Sequence, residues 1–130
     1  MDLLQADIIC SREIKVSTEN DCVFCKIVRG EIPSNKVYED DKILAFRDIS
    51  PAAPVHVLVV PKRHVASLSD CGESERDLVA DIMLGANKVA KKEKLDSCRV
   101  IINNGPGAGQ TVFHLHAHVL GGREMSEKLL

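Results

Sequence analysis

The segment Gln110-Thr111-Val112-Phe113-His114-Leu115-His116-Ala117-His118-Val119-Leu120-Gly121-Gly122 decides how this chain is read. In an extended strand, side chains alternate, so His114, His116 and His118 share one face, and Phe113, Leu115, Ala117 and Val119 share the other. A helix would turn successive histidines of the set about 200° apart and scatter them. Along a strand they stand roughly 6.6 Å apart at their bases. That spacing suits a polar substrate gripped while one ring attacks it, or a metal site completed by other ligands. The plain alternative is a polar strand face of neutral, individually bonded rings. Strict alternation above an apolar opposite face weighs against it.

The chain has 130 residues, enough for one domain with one core. Its 45% hydrophobic and 28% charged residues are those of a globular protein. With no tryptophan and only four aromatic residues (Phe 3, Tyr 1), aliphatic side chains must fill the core. A net charge of −2 gives no basic surplus for a nucleic-acid backbone. No apolar run approaches the roughly 20 residues that cross a bilayer. Asp2, Asp7, Arg12 and Glu13 interrupt the leading segment before a signal-peptide core can build. These features, with five cysteines of which only Cys22 and Cys25 lie close in sequence, predict no membrane partner and a cytoplasmic or also nuclear location rather than a secreted disulfide framework.

Residues 1–20 read as an N-terminal extension without visible chemistry, 21–126 as the domain, and 127–130 as a tail. Within the domain, 22–29 predict a short helix closed by Gly30 and Pro33. Residues 37–39 and 43–47 predict a hairpin turned by Asp40, Asp41 and Lys42. The loop 48–54 holds Pro51 and Pro54, and 55–60 reads as a central strand because it is apolar and β-branched nearly throughout. A lone histidine in such a run is usually core filler, but His56 is one of only five histidines in the chain. Residues 74–94 predict the long helix, with Ser74 and Asp77 placed as an imperfect capping box and Leu78, Ile82, Ala86, Val89 and Ala90 on one stripe. A strand over 99–103, a glycine-rich turn over 104–109 and the histidine strand complete an α+β fold with a mostly antiparallel sheet. The turn lacks the ending of a phosphate loop, yet its N–H groups with Gln110 and Thr111 could hold phosphate oxygens.

From about Asp21 to Met125 the chain resembles the histidine triad (HIT) superfamily. The resemblance is carried by 113–120, by Asp48-Ile49-Ser50-Pro51-Ala52-Ala53-Pro54-Val55-His56, and by Val60-Pro61-Lys62-Arg63-His64. The ending Gly121-Gly122-Arg123-Glu124-Met125 is most similar to the histidine triad nucleotide-binding branch, whose members are homodimeric purine nucleoside phosphoramidases. The resemblance implies His116 as nucleophile on an α-phosphorus, with His118 and His56 at the phosphate or in proton transfer. It implies that Asn103, Gly109, Gln110 and Thr111 orient phosphate and ribose, that Asp48 accepts from the ribose, and that Phe24, Ile27, Phe46 and Ile49 enclose the base. Dinucleoside polyphosphate hydrolysis or nucleotidyl transfer are rival reactions. A nucleotide-responsive protein that binds protein partners with little turnover is a rival of another class. A metal-dependent oxygenase ranks lower, since no carboxylate is expected near the triplet where a facial triad would want one.

Three readings of Cys22 and Cys25 stay open: a redox pair, two small core residues, or half of a structural zinc site. The last is implied by similarity to histidine triad proteins that share the pair, and its ligands would be Cys22, Cys25, His64 and His114. The chemical step itself is expected to need no metal.

Overall fold

The computed structural model describes residues 21–130; the expectation for 1–20 lies outside the described residues. Helix α1 (Val23–Val28) opens on Cys22, whose Sγ accepts from the Cys25 N–H at 3.4 Å, and it buries Phe24, Cys25 and Ile27. Gly30, at φ 81°, lets the chain leave it. The hairpin of β1 (Lys36–Glu39) and β2 (Ile43–Arg47) forms as predicted. Asp40 Oδ1 makes its turn, accepting from the N–H groups of Lys42 and Ile43 at 2.8 and 2.9 Å.

Five strands form one antiparallel sheet in the order β1-β2-β3-β5-β4, with β3 (Val55–Pro61) in the centre. The uniform apolarity of β3 follows from both its faces being covered. Val57 and Val59 enter the core beneath α2 (Arg76–Lys92), while Leu58 and Val60 pack with α1. The predicted stripe Leu78, Ile82, Ala86, Val89 and Ala90 is the buried face of α2. A Cβ on Gly85 would stand 2.3 Å from Ile43 Cδ1, so this glycine sets how closely the helix lies on the sheet.

Three expectations about boundaries need correction. The long helix is preceded by a 3-10 turn at Glu73–Glu75, and its entry is fixed by the Glu75 carboxylate accepting from Gly72 N–H at 2.7 Å, in place of Ser74 and Asp77. Strand β4 covers Cys98–Ile101, leaving Asn103 in the loop beyond it. The third change matters most. Strand β5 is only Ala117–Gly121, so His114 and His116 precede it and the three rings do not line one strand face. Leu115, Ala117 and Val119 do reach the core beneath α2, as the alternation predicts. On the other side the residues part company: His118, opposite Leu58 in register, and His116 enter a cleft, while the chain bends at 112–114 and sends His114 elsewhere.

Candidate active site and metal centre

Beside α1 lies a cleft of about 640 Å³. Phe24, Ile27, Phe46 and Ile49 line it, together with Asp48, Thr111, His116 and His118, so eight residues singled out in the sequence meet at one place. Leu58, Val112 and the segment Ile32-Pro33-Ser34-Asn35 complete the wall. No residue type in that segment advertised chemistry, and only the proline that ends α1's exit marked it as a loop.

Asn103, Gly109 and Gln110 do not line the cleft. Asn103 is half-buried, with its Nδ2 4.0 Å from where a Cβ on Gly109 would lie, and Gly109 holds φ 94° at the end of the turn. Gln110 is 3% exposed and its amide is spent on backbone: Oε1 accepts from Gly105 N–H at 3.0 Å, and Nε2 donates to Ala66 O and Val112 O at 2.9 and 3.0 Å. Gln110 therefore shapes the turn, with both amide hydrogens spent on backbone and its oxygen turned to the Gly105 N–H.

Backbone partners fix which nitrogen of each ring carries its proton. The Ala52 N–H donates to His56 Nδ1 at 2.9 Å, so a neutral His56 carries its hydrogen on Nε2. That N–H faces His118 Nδ1 at 2.9 Å, with Asp48 Oδ2 3.4 Å away. His118, accepting on Nδ1, then carries hydrogen on Nε2, a buried atom without a hydrogen-bond partner among the described residues. His116 is the reverse case: its Nδ1 lies 2.7 Å from the His114 carbonyl and must donate, leaving the lone pair on Nε2. Burial lowers the pKa of His116, and burial with the neighbouring His116 and His56 rings pushes His118 down to about 4. At neutral pH the cleft thus presents one ring as a lone-pair donor and the next, 5.1 Å away between centroids, as a hydrogen-bond donor.

His114 joins Cys22, Cys25 and His64. Its Nε2 donates to Pro61 O at 2.8 Å, so Nδ1 is unprotonated; that nitrogen lies 3.4 and 3.5 Å from the two sulfurs and 3.2 Å from His64 Nδ1. Cys25 Sγ is 3.3 Å from His64 Nδ1. A tetrahedral zinc with ordinary Zn–S and Zn–N bonds would space such donors about 3.3–3.8 Å apart. Two thiols, two imidazole nitrogens and a second-shell carbonyl that fixes one tautomer therefore fit a zinc ion. The cysteine pair thus faces two imidazoles, in a cluster that could hold a metal.

Asp48, His56 and His118 form a second trio of metal-ligating types, which corrects the expectation that no carboxylate approaches the triplet. The Ala52 N–H decides its use. By keeping a proton on His56 Nε2, it makes the trio a hydrogen-bond relay and withholds the lone pair a metal would need.

A five-stranded antiparallel sheet in an α+β fold, carrying a histidine cleft and a Cys₂His₂ cluster, places the chain in one family. The chain belongs to the HIT domain family, which matches residues 29–125. It is 50% identical to a HIT family hydrolase from Clostridium thermocellum, covering 88% of this chain and 100% of that one with a TM-score of 0.83. It is 47% identical to a 14 kDa zinc-binding protein of Brassica juncea, covering 82% of this chain and 96% of the relative. A zinc-bound histidine triad family protein from Mycobacterium smegmatis is 35% identical, with a TM-score of 0.73 and coverage of 85% and 81%. No described helix is long and apolar enough to cross a membrane.

Proposed function

We propose that the protein is a purine nucleoside phosphoramidase of the histidine triad nucleotide-binding branch, hydrolysing the P–N bond of AMP or GMP phosphoramidates. The observation that carries this reading is the tautomer of His116, whose Nδ1–H is held by the His114 carbonyl so that its Nε2 lone pair is the nucleophile. The base would lie between Phe24, Ile27, Phe46 and Ile49, with the ribose hydroxyls on Asp48. Nε2 attacks the α-phosphorus, the P–N bond breaks, and the amine nitrogen takes a proton from solvent and leaves. Water then cleaves the nucleotidyl-histidine, releasing the nucleotide and restoring the ring. His118 Nε2–H, which has no hydrogen-bond partner among the described residues, donates to a phosphate oxygen, and the His56–His118 bond holds it in that orientation. Thr111 serves a remaining phosphate oxygen, and the turn before it, shaped by Asn103, Gly109 and Gln110, spends its Gly105, Ala108 and Gly109 N–H groups within the protein and holds Thr111 in place.

Cys22, Cys25, His64 and His114 would hold a zinc ion that ties α1 to the end of the sheet and takes no part in bond breaking. A homodimer would form along β4, which ends the sheet and leaves Val100 37% exposed. A cytoplasmic or nuclear setting suits reduced thiols as zinc ligands. The deciding assay compares turnover of an AMP–lysine phosphoramidate with that of diadenosine polyphosphate. Preference for the first supports the reading, preference for the second replaces it with polyphosphate hydrolysis, and nucleotide binding without turnover of either replaces it with a protein-binding role.

A further inference from the structure

His114 belongs to two arrangements at once. Its ring lies among the thiols and His64, while its carbonyl oxygen accepts the His116 Nδ1–H that sets the nucleophile's tautomer. A second tie runs through Phe24, which sits between the two cysteines in sequence. Its ring meets those of His114 and His116 edge-on, at centroid distances of 6.0 and 5.1 Å. His114 is 0% and His116 8% exposed, and in close packing neither shifts without the other.

We propose that His114, with Phe24, is a positioning residue that couples the Cys/His centre to the nucleophile, so that what fills the centre governs turnover more than nucleotide affinity. Bound through Nδ1, the His114 ring is fixed at both nitrogens; with only weak S–H donors at Nδ1, the Nε2–H bond to Pro61 alone fixes it. The peptide carrying the acceptor carbonyl follows the ring, and with it the aim of His116 Nε2. Misplacing a reacting atom by about 1 Å costs up to about 100-fold in rate. Asp48, in the loop after β2, has no member of the cluster among its hydrogen-bond or ion-pair partners and would keep its hold on the nucleotide.

The inference rests on His116 as nucleophile, and the test separates the two. His64→Ala removes one ligand from a segment that does not line the cleft. The expected result is lower metal content, kcat about 10- to 100-fold lower, AMP affinity changed by less than about threefold, and loss of the downfield His116 Nδ1–H proton resonance. Where the variant does not fold, replacing zinc by cadmium in the wild-type protein puts the same question: the His116 ring resonances must move while those of His56 stay. A folded His64→Ala with wild-type kcat and an intact resonance overturns the coupling. So does an equal loss of kcat and affinity, or a cadmium form with unmoved His116 signals. If the wild-type protein turns over no phosphoramidate, the proposed activity fails, and the resonance experiment still decides the coupling.

Discussion

Gln110→Ala separates a brace from a ligand-binding group. The side chain makes three hydrogen bonds, to Gly105 N–H and to the carbonyls of Ala66 and Val112, at 2.9–3.0 Å, and only 3% of the residue is exposed. Each such bond contributes a net 0.5–1.5 kcal/mol, so truncation is expected to cost about 3 kcal/mol. That is a large part of the roughly 5–15 kcal/mol that holds a domain folded. For a chain of this size the melting temperature should fall by about 10 °C. Urea unfolding followed by far-UV circular dichroism measures the loss, and calorimetric titration with AMP measures affinity on protein kept well below its unfolding midpoint. The folded variant should still bind AMP, more weakly by less than about tenfold, because Asp48, Thr111 and His118 still line the cleft. A stability change under about 0.5 kcal/mol together with abolished AMP binding would refute the reasoning and return Gln110 to direct contact with substrate.

His116→Ala should fold with an unchanged circular dichroism spectrum while hydrolysis of an adenosine phosphoramidate drops by about 10³-fold or more, read in a coupled amine-release assay. His118 stays neutral in the folded chain until about pH 4. An unfolded histidine protonates near pH 6.5, so the unfolded state binds more protons between those values and stability falls as pH drops through that window. His118 alone would account for about 2–3 kcal/mol of that loss; urea midpoints at pH 7 and pH 4.5 should show it, and His118→Gln should flatten the difference. Gly85→Ala adds about 1 kcal/mol of helix propensity. It also drives a methyl to 2.3 Å from Ile43 Cδ1, and overpacking of 1–3 kcal/mol should win, lowering the melting temperature by a few degrees. A more stable variant would mean the helix can lift from the sheet freely.

The fold was legible wherever one periodicity ran long enough to be read. The α2 stripe, the hairpin and the doubly covered β3 all followed from pattern, because burial acts on side chains and leaves its trace in residue types. The histidine strand misled because alternation records faces and says nothing of where pairing stops. The bend at 112–114 is held in part by Gln110 Nε2 on the Val112 carbonyl, and no residue-type pattern announces such a bond. The apolar wall of the cleft, Asp48 and the metal-ligand set were found through residue type and resemblance. The groups that decide tautomers, Ala52 N–H and the carbonyls of Pro61 and His114, are backbone atoms that any sequence possesses. The approach of Asp48 to His56 was likewise hidden, since it arises from the loop doubling back as Asp48 N–H bonds the His56 carbonyl.

The pairing of Leu58 with His118 and of Val57 with Val119 carries a consequence for assembly of the chain. Sliding β5 by a single position would turn an imidazole toward the oily side under the helix and push a valine out into the cleft. A chain so misthreaded would lose its hydrophobic interior and its reactive ring in the same stroke, leaving no half-competent form. Specific activity of a preparation would then count correctly threaded molecules, and a slow gain of activity during refolding would time the moment at which the last strand finds its place.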